Sequence, residues 1–250
     1  MKRRQFLMGT AAAGVAATAA GFWKFAGAAI PADTAISGSD LKKLVPPIDR
    51  KIPVAVTISE GVQVIDFAGP WEVFQDVMVM EGKHEEGMEH RMPFDLYTVS
   101  EKIEAIEATG GLKIIPNYTF ANAPSPKIVI VPAQSGSPAL LEWLKKVTAS
   151  PDSDVVMSVC TGAFQLAKAG LLSGQPATTH HQFSARLKEK YPDIDVKTGV
   201  RFVEGAKIST AGGLSSGIDL ALRVVDRYYG RTIAQNTAEF MEYQGKGWMV

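Results

Sequence analysis

The chain has one cysteine in 250 residues. That excludes an intrachain disulfide framework and any metal site built from several cysteines. Histidine is scarce too, with four residues: His84, His90, His180 and His181. His84 and His90 fall in the polar stretch Glu81-Gly-Lys-His-Glu-Glu-Gly-Met-Glu-His90. Its spacing is not that of helical metal ligands, and it reads as a solvated loop. Net charge is missing as well, because 26 basic side chains balance 26 acidic ones. Nothing electrostatic therefore points to nucleic acid as a partner. There is no internal repeat and no low-complexity segment within the domain. No metal or cofactor is expected. What the chain does have is a hydrophobic content of 46%, enough for a sizeable core. Its length suits one large α/β domain or two small ones.

Residues 1–29 read as an address rather than as part of the fold. Met1-Lys-Arg-Arg-Gln-Phe-Leu-Met8 is followed by an Ala/Gly-rich stretch to Gly21. This resembles a twin-arginine export signal, which implies the export machinery as a partner and a periplasmic or otherwise exported protein. Ala17-Thr-Ala19 and Ala26-Gly-Ala28 are candidate cleavage motifs. The alternative is an uncleaved membrane anchor, which Lys24 interrupts. Residues 30–50, with Pro31, Pro46, Pro47 and Ser37-Gly-Ser39, read as a linker. Residues 51–250 read as the domain.

From residue 51 onward, strand and helix patterns alternate. Buried strands are expected at 53–59, 94–100, 127–132 and 155–159, and helices at 70–80, 139–147, 162–169, 218–229 and 233–243. A short hairpin is expected from 199–205 and 207–210. This order implies a mostly parallel sheet covered on both faces. Ligands bind beyond the carboxyl ends of such strands.

Cys160 lies at one of those ends, at a sharp strand-to-helix turn. There a helix N-terminus would favour an anion and lower the thiol pKa. The alternative is a small buried core residue. Asp66 sits in the apolar loop after the first strand, as a helix N-cap or as an acid held protonated by burial beside a thiolate. Thr161 would either orient a water or cap the following helix. His180 or His181 would face the cysteine, but adjacent residues of an extended strand cannot both point inward. Ala211-Gly-Gly-Leu-Ser-Ser-Gly-Ile-Asp219 opens a helix without dinucleotide or P-loop spacing. It reads as structural, with Asp219 capping or pairing locally.

Four segments together resemble the ThiJ/PfpI superfamily, the class I glutamine-amidotransferase-like proteins. They are Val62-Gln-Val-Ile-Asp-Phe-Ala-Gly-Pro-Trp-Glu-Val-Phe74, Ser158-Val-Cys-Thr-Gly-Ala163, Leu171-Leu-Ser-Gly-Gln-Pro-Ala-Thr-Thr-His180 and Ser209-Thr-Ala-Gly-Gly-Leu-Ser-Ser-Gly-Ile-Asp-Leu-Ala-Leu222. Cys160-Thr161-Gly162 is most similar to the subgroup of isonitrile hydratase and the ligand-binding halves of AraC-type regulators. The resemblance implies a flavodoxin-like three-layer α/β sandwich, with Cys160 on a strained nucleophile elbow and Asp66 as the acid touching it. It carries Cys160, Thr161 and Asp66 over as catalytic residues. Ala133, Gln134, His180 and His181 would form the substrate pocket. Such regulators append a helix-turn-helix domain, and no DNA-binding half is expected in this chain. Homodimers are common in the fold.

Two departures stand out. The family usually has Pro-Gly-Gly where this chain has Pro132-Ala133-Gln134, and the subgroup often has Trp where His181 stands. The implied activity is cysteine-dependent addition of water to a small electrophilic carbon, with N–H groups at 133, 134 and 161 holding developing charge. Glyoxalase- or deglycase-like chemistry remains an alternative, as does a periplasmic binding or redox-sensing protein without turnover. Proteolysis is disfavoured, because no histidine follows the cysteine.

Overall fold

A computed structural model describes residues 36–37, 41–81 and 89–250. The expected export signal, and His84 with most of its loop, lie outside the described residues. The element order is β1 (Ile36–Ser37), β2 (Ile52–Thr57), α1 (Val64–Gln75), β3 (Val79–Glu81), β4 (Glu89–Arg91) and β5 (Phe94–Ser100). Then come β6 (Ile106–Glu107), β7 (Lys113–Ile114), β8 (Tyr118–Thr119), β9 (Ile128–Val131), α2 (Pro138–Ala149) and β10 (Val155–Val159). After these follow α3 (Ala163–Lys168), β11 (Pro176–Ala177), α4 (Ser184–Lys190) and β12 (Asp195–Val196). The chain continues with β13 (Phe202–Glu204), β14 (Ile208–Ala211), α5 (Ser216–Tyr229) and α6 (Arg231–Phe240).

Eight strands form one sheet in the order β1-β13-β14-β10-β9-β2-β5-β8. All neighbours are parallel except the β13–β14 hairpin. Alternate residues of the central strands feed two separate cores. Val54, Val56, Ile128, Ile130, Val155 and Met157 pack with residues of α1, α5 and α6. Ala55, Val129, Val131 and Val156 pack with residues of α2, α3 and α4. Both faces being covered explains why these strands are continuously apolar rather than alternating. The expected three-layer, flavodoxin-like α/β sandwich is thus the fold.

The strand order reverses between β2 and β9, which opens a crevice at their carboxyl ends. The ends of β2, β9, β10 and β14 share one edge of the sheet, since these strands are mutually parallel. Within the stretch read as a linker, β1 pairs with β13, and the Leu44 N–H donates to the Arg227 carbonyl at 2.8 Å.

The helix expected at 70–80 starts instead at Val64 and ends at Gln75, with Pro70 inside it. Its N-cap residue, Gln63, supplies no side-chain cap. The Val64 N–H is satisfied by Thr109 Oγ1 at 3.2 Å, from the turn between β6 and β7. A cap that comes from a distant segment leaves no local sequence signature, which is why the start was misplaced. Asp66 is therefore a first-turn residue and not the N-cap.

At the end of β10, Cys160 has φ 58° and opens a 3₁₀ turn, Cys160–Gly162, before α3. A Cβ at Gly162 would lie 1.9 Å from the Val131 carbonyl oxygen, so the elbow seats directly on β9. Gly162→Ala is expected to destabilise the protein by about 3 kcal/mol or to prevent folding, because backbone cannot yield as a side chain can. Urea unfolding checks this; a loss below about 1 kcal/mol would contradict the seating.

Candidate active site

Cys160 is gripped at both backbone ends. Its N–H donates to the Gly212 carbonyl at 2.7 Å, and its carbonyl accepts the Thr179 hydroxyl at 2.8 Å. Positive φ at a non-glycine residue costs about 1–2 kcal/mol and persists only where surroundings over-determine it. Gly212 follows β14, and Thr179 precedes the 3₁₀ turn His181–Phe183. Neither was singled out from the sequence, since the grip exists only once the two segments flank β10.

Asp66 enters from the first turn of α1 and is fully buried. Its Oδ2 accepts the Ala133 N–H at 3.1 Å. Its Oδ1 has no hydrogen-bond partner. The Cys160 thiol is close enough to Asp66 for each to shift the other's titration. A thiol proton turned toward Oδ1 gives that atom the partner it otherwise lacks.

Burial pushes the Asp66 carboxyl up from 3.8 to about 6, against the Ala133 N–H, the Cys160 thiol and the Leu214 N–H. Burial, and then the Asp66 carboxylate, pushes the thiol up from 9.0 to about 11, against the Thr161 and Leu214 N–H groups. The lowered thiol pKa expected from a helix N-terminus does not occur. Burial and the Asp66 carboxylate outweigh the N–H groups of Thr161 and Leu214. Between about pH 6 and 11 the pair holds a single proton, resting on sulfur and facing a carboxylate base.

The three N–H groups expected to hold developing charge differ in how they are used. That of Ala133 is committed to Asp66, and that of Thr161 is directed at the thiol. That of Gln134 makes no hydrogen bond within the protein. The Gln134 side chain turns inward, its Nε2 donating to Thr57 Oγ1 at 2.7 Å and to the Thr57 carbonyl at 3.2 Å. Gln165 Nε2 binds the Gln134 carbonyl at 2.9 Å, bracing the same loop. The Thr161 hydroxyl does not cap the following helix. Thr161 and Gln134 instead border a cavity of about 270 Å³ that extends toward Lys168 and Arg186.

His180 and His181 stack with ring centroids 4.4 Å apart, and both border a second cavity of about 210 Å³. They lie at the 3₁₀ turn and not on an extended strand, so both reach one space. His180 Nδ1 accepts the Gln182 N–H at 3.3 Å, and burial followed by His181 lowers its pKa. Neither imidazole hydrogen-bonds Cys160. The Gly-rich turn supplies more than structure: the Leu214 N–H, at a residue with φ 54°, acts on both members of the pair. Asp219, expected to cap or pair locally, pairs with Arg201, which lies before β13.

Residues 52–227 match the DJ-1/PfpI family, most of the chain. The chain belongs to the DJ-1/PfpI family. Among curated relatives it is 28% identical to isonitrile hydratase of Pseudomonas putida over 186 residues, covering 73% of this chain and 74% of that enzyme. It is 33% identical over 108 residues to the HTH-type transcriptional regulator CdhR of Pseudomonas aeruginosa, covering 43% of this chain and only 31% of the regulator. A solved ThiJ/PfpI family protein from Pseudomonas syringae superposes with TM-score 0.66 at 24% identity, covering 84% of this chain and 81% of that one. Drosophila melanogaster DJ-1beta superposes with TM-score 0.63 at 16% identity, covering 77% and 98%. At these identities the solved structures speak for the fold. The family holds both enzymes and regulators, so the chemistry of this DJ-1/PfpI chain rests on its own site.

The raised Asp66 pKa has a consequence for stability. Between the unfolded value of 3.8 and the folded value of about 6, the native state binds more protons. Stability is therefore lost as pH rises through that window, and the loss is complete above it. Asn keeps an acceptor for the Ala133 N–H without the charge. Asp66→Asn is expected to be more stable than the native protein at alkaline pH by about 3 kcal/mol, with the gap closing near pH 4. Urea unfolding across pH checks this, and a gap independent of pH would overturn the assignment.

Proposed function

We propose that this chain is a cysteine-dependent enzyme that adds water to a small electrophilic carbon, of the isonitrile hydratase type. The observation that carries the proposal is the buried Asp66 carboxyl within hydrogen-bonding reach of the only thiol. Cys160 Sγ attacks the terminal carbon of an isonitrile as its proton passes to Asp66. Asp66 returns that proton to the same carbon, giving a thioimidate, R–N=CH–S–Cys160. Water then adds to that carbon and the nitrogen gains a proton. Collapse of the adduct expels the thiolate, which recovers its proton, and releases the formamide R–NH–CHO. Thr161 orients the water, and the Gln134 N–H supports charge as the water adduct forms. Export through the twin-arginine pathway belongs to the same proposal and is supported by Arg3-Arg4 and the residues after them.

A second reading is a binding protein without turnover. The small exposure of Cys160, 8%, and its neutral thiol favour it over a peroxide sensor, which requires a low-pKa thiolate.

Purified protein is expected to convert an aliphatic isonitrile to its N-formyl amine, followed by proton NMR. Cys160→Ala should abolish turnover, and Asp66→Asn should lower it about a hundredfold or more. Because the carboxylate must be free to take the proton, kcat/KM should rise with pH through about 6. No turnover, or turnover untouched by Cys160→Ala, sinks the enzyme reading in favour of the binding protein.

A further inference from the structure

We infer that the cavity beside the Cys160–Asp66 pair selects a small substrate bearing a carboxylate. This rests on the proposed role of Cys160 as nucleophile and adds the substrate class. The cavity, about 210 Å³, is bordered by Thr179, Gly212 and Leu214, the same residues that hold Cys160 and direct an N–H at the pair. Cys160 itself does not border the cavity, but Leu214, whose N–H acts on the thiol, does, so a ligand inside it lies one residue from the pair.

Two serines mark where a polar group belongs. Ser184 and Ser216 are 6% and 4% exposed, and both border the cavity; among the described residues neither hydroxyl has a side-chain hydrogen bond. Both residues line the cavity, where two hydroxyl donors can meet one acceptor. Ser216 also opens α5, a 14-residue helix whose dipole places partial positive charge at that end.

The charge of the walls decides what that acceptor is. No Asp or Glu borders the cavity, while Arg201 does. The Arg201 guanidinium is fixed from behind, with Nε donating to Asp219 Oδ2 at 2.6 Å and Nη2 to the Tyr243 hydroxyl at 3.4 Å. Asp219 already offsets the guanidinium charge, so Arg201 offers directed N–H donors with little net charge, which suits a monoanion better than a phosphate dianion. His180, whose pKa is lowered, enters as a neutral imidazole with one N–H donor. Gly213 makes that placement possible, because a Cβ there would fall 2.3 Å from the His180 ring. A hydrogen-bonding wall with one cation and no acid matches a carboxylate.

Alkylation tests this without turnover, because Cys160 is the only cysteine and added mass reports it alone. Iodoacetate and iodoacetamide differ only in carboxylate against neutral amide. Iodoacetate should label the protein with saturable kinetics and at least about tenfold faster than iodoacetamide, the worth of a charge-assisted hydrogen bond. In Ser216→Ala and in Arg201→Lys the ratio should fall toward that of a free cysteine. A native ratio equal to that of a free cysteine overturns the carboxylate preference while leaving Cys160 reactive. If neither reagent labels Cys160, the nucleophile reading fails, and the cavity is then judged by propionate binding, followed through the imidazole proton resonances. A saturable shift that Ser216→Ala removes keeps the anion site, and no shift in the native protein overturns it.

Discussion

The left-handed backbone at Cys160 is the constraint on which the site depends. It points the sulfur away from the strand and toward the start of α1. Three groups enforce it: the Gly212 carbonyl beyond β14, the Val131 carbonyl at the end of β9, and the Thr179 hydroxyl after β11. The first two are in place because β14, β10 and β9 are adjacent and parallel. The strain is thus stored by the sheet order and not by the elbow's own residues. A slip of one residue in either β10 pairing would release it and turn the thiol into the core.

The same burial that seats the elbow sets the proton chemistry. A carboxyl with no exposed surface and a thiol at 8% exposure cannot both carry charge cheaply. Both pKa values move up, and the pair keeps one proton over the physiological range. That inverts the usual picture of a preformed thiolate. Cys160 and Asp66 form a neutral-thiol–carboxylate couple, in which the proposed attack is coupled to proton transfer. The Ala133 and Leu214 N–H groups keep Asp66 from rising further, so it remains a base near neutral pH.

The sequence carried the fold and the location of the site well. Continuous apolar runs at 127–132 and 155–159 could only be doubly covered strands, and Cys160 had to follow one of them. What it hid was contact between distant segments. The start of α1 depends on Thr109 and the grip on Cys160 depends on Thr179 and Gly212, none of which is near its target in sequence. His180 and His181 were constrained by strand geometry that they do not have. The thiol pKa departs from expectation for a related reason: a helix is legible after Cys160, but not the degree of burial that outweighs its N–H groups.

The replacement of Pro-Gly-Gly by Pro132-Ala133-Gln134 bears on which chemistry the site can support. Acyl transfer builds full negative charge on a carbonyl oxygen in its first step, and it needs two or more free donors aimed there. Of the N–H groups at 133, 134 and 161, that of Gln134 alone has no partner among the described residues, because Ala133 serves Asp66 and Thr161 serves the sulfur. Addition of a thiol to an isonitrile makes no such demand. Charge develops on the carbon under attack and is cancelled there by the proton Asp66 has just received. Oxygen enters only with the second addition, when one donor is enough to assist. A loop in which Gln134 is anchored to Thr57 and braced by Gln165, with one of the three N–H groups left over, therefore accords better with the proposed hydration of a carbon that carries its own lone pair than with hydrolysis of amides.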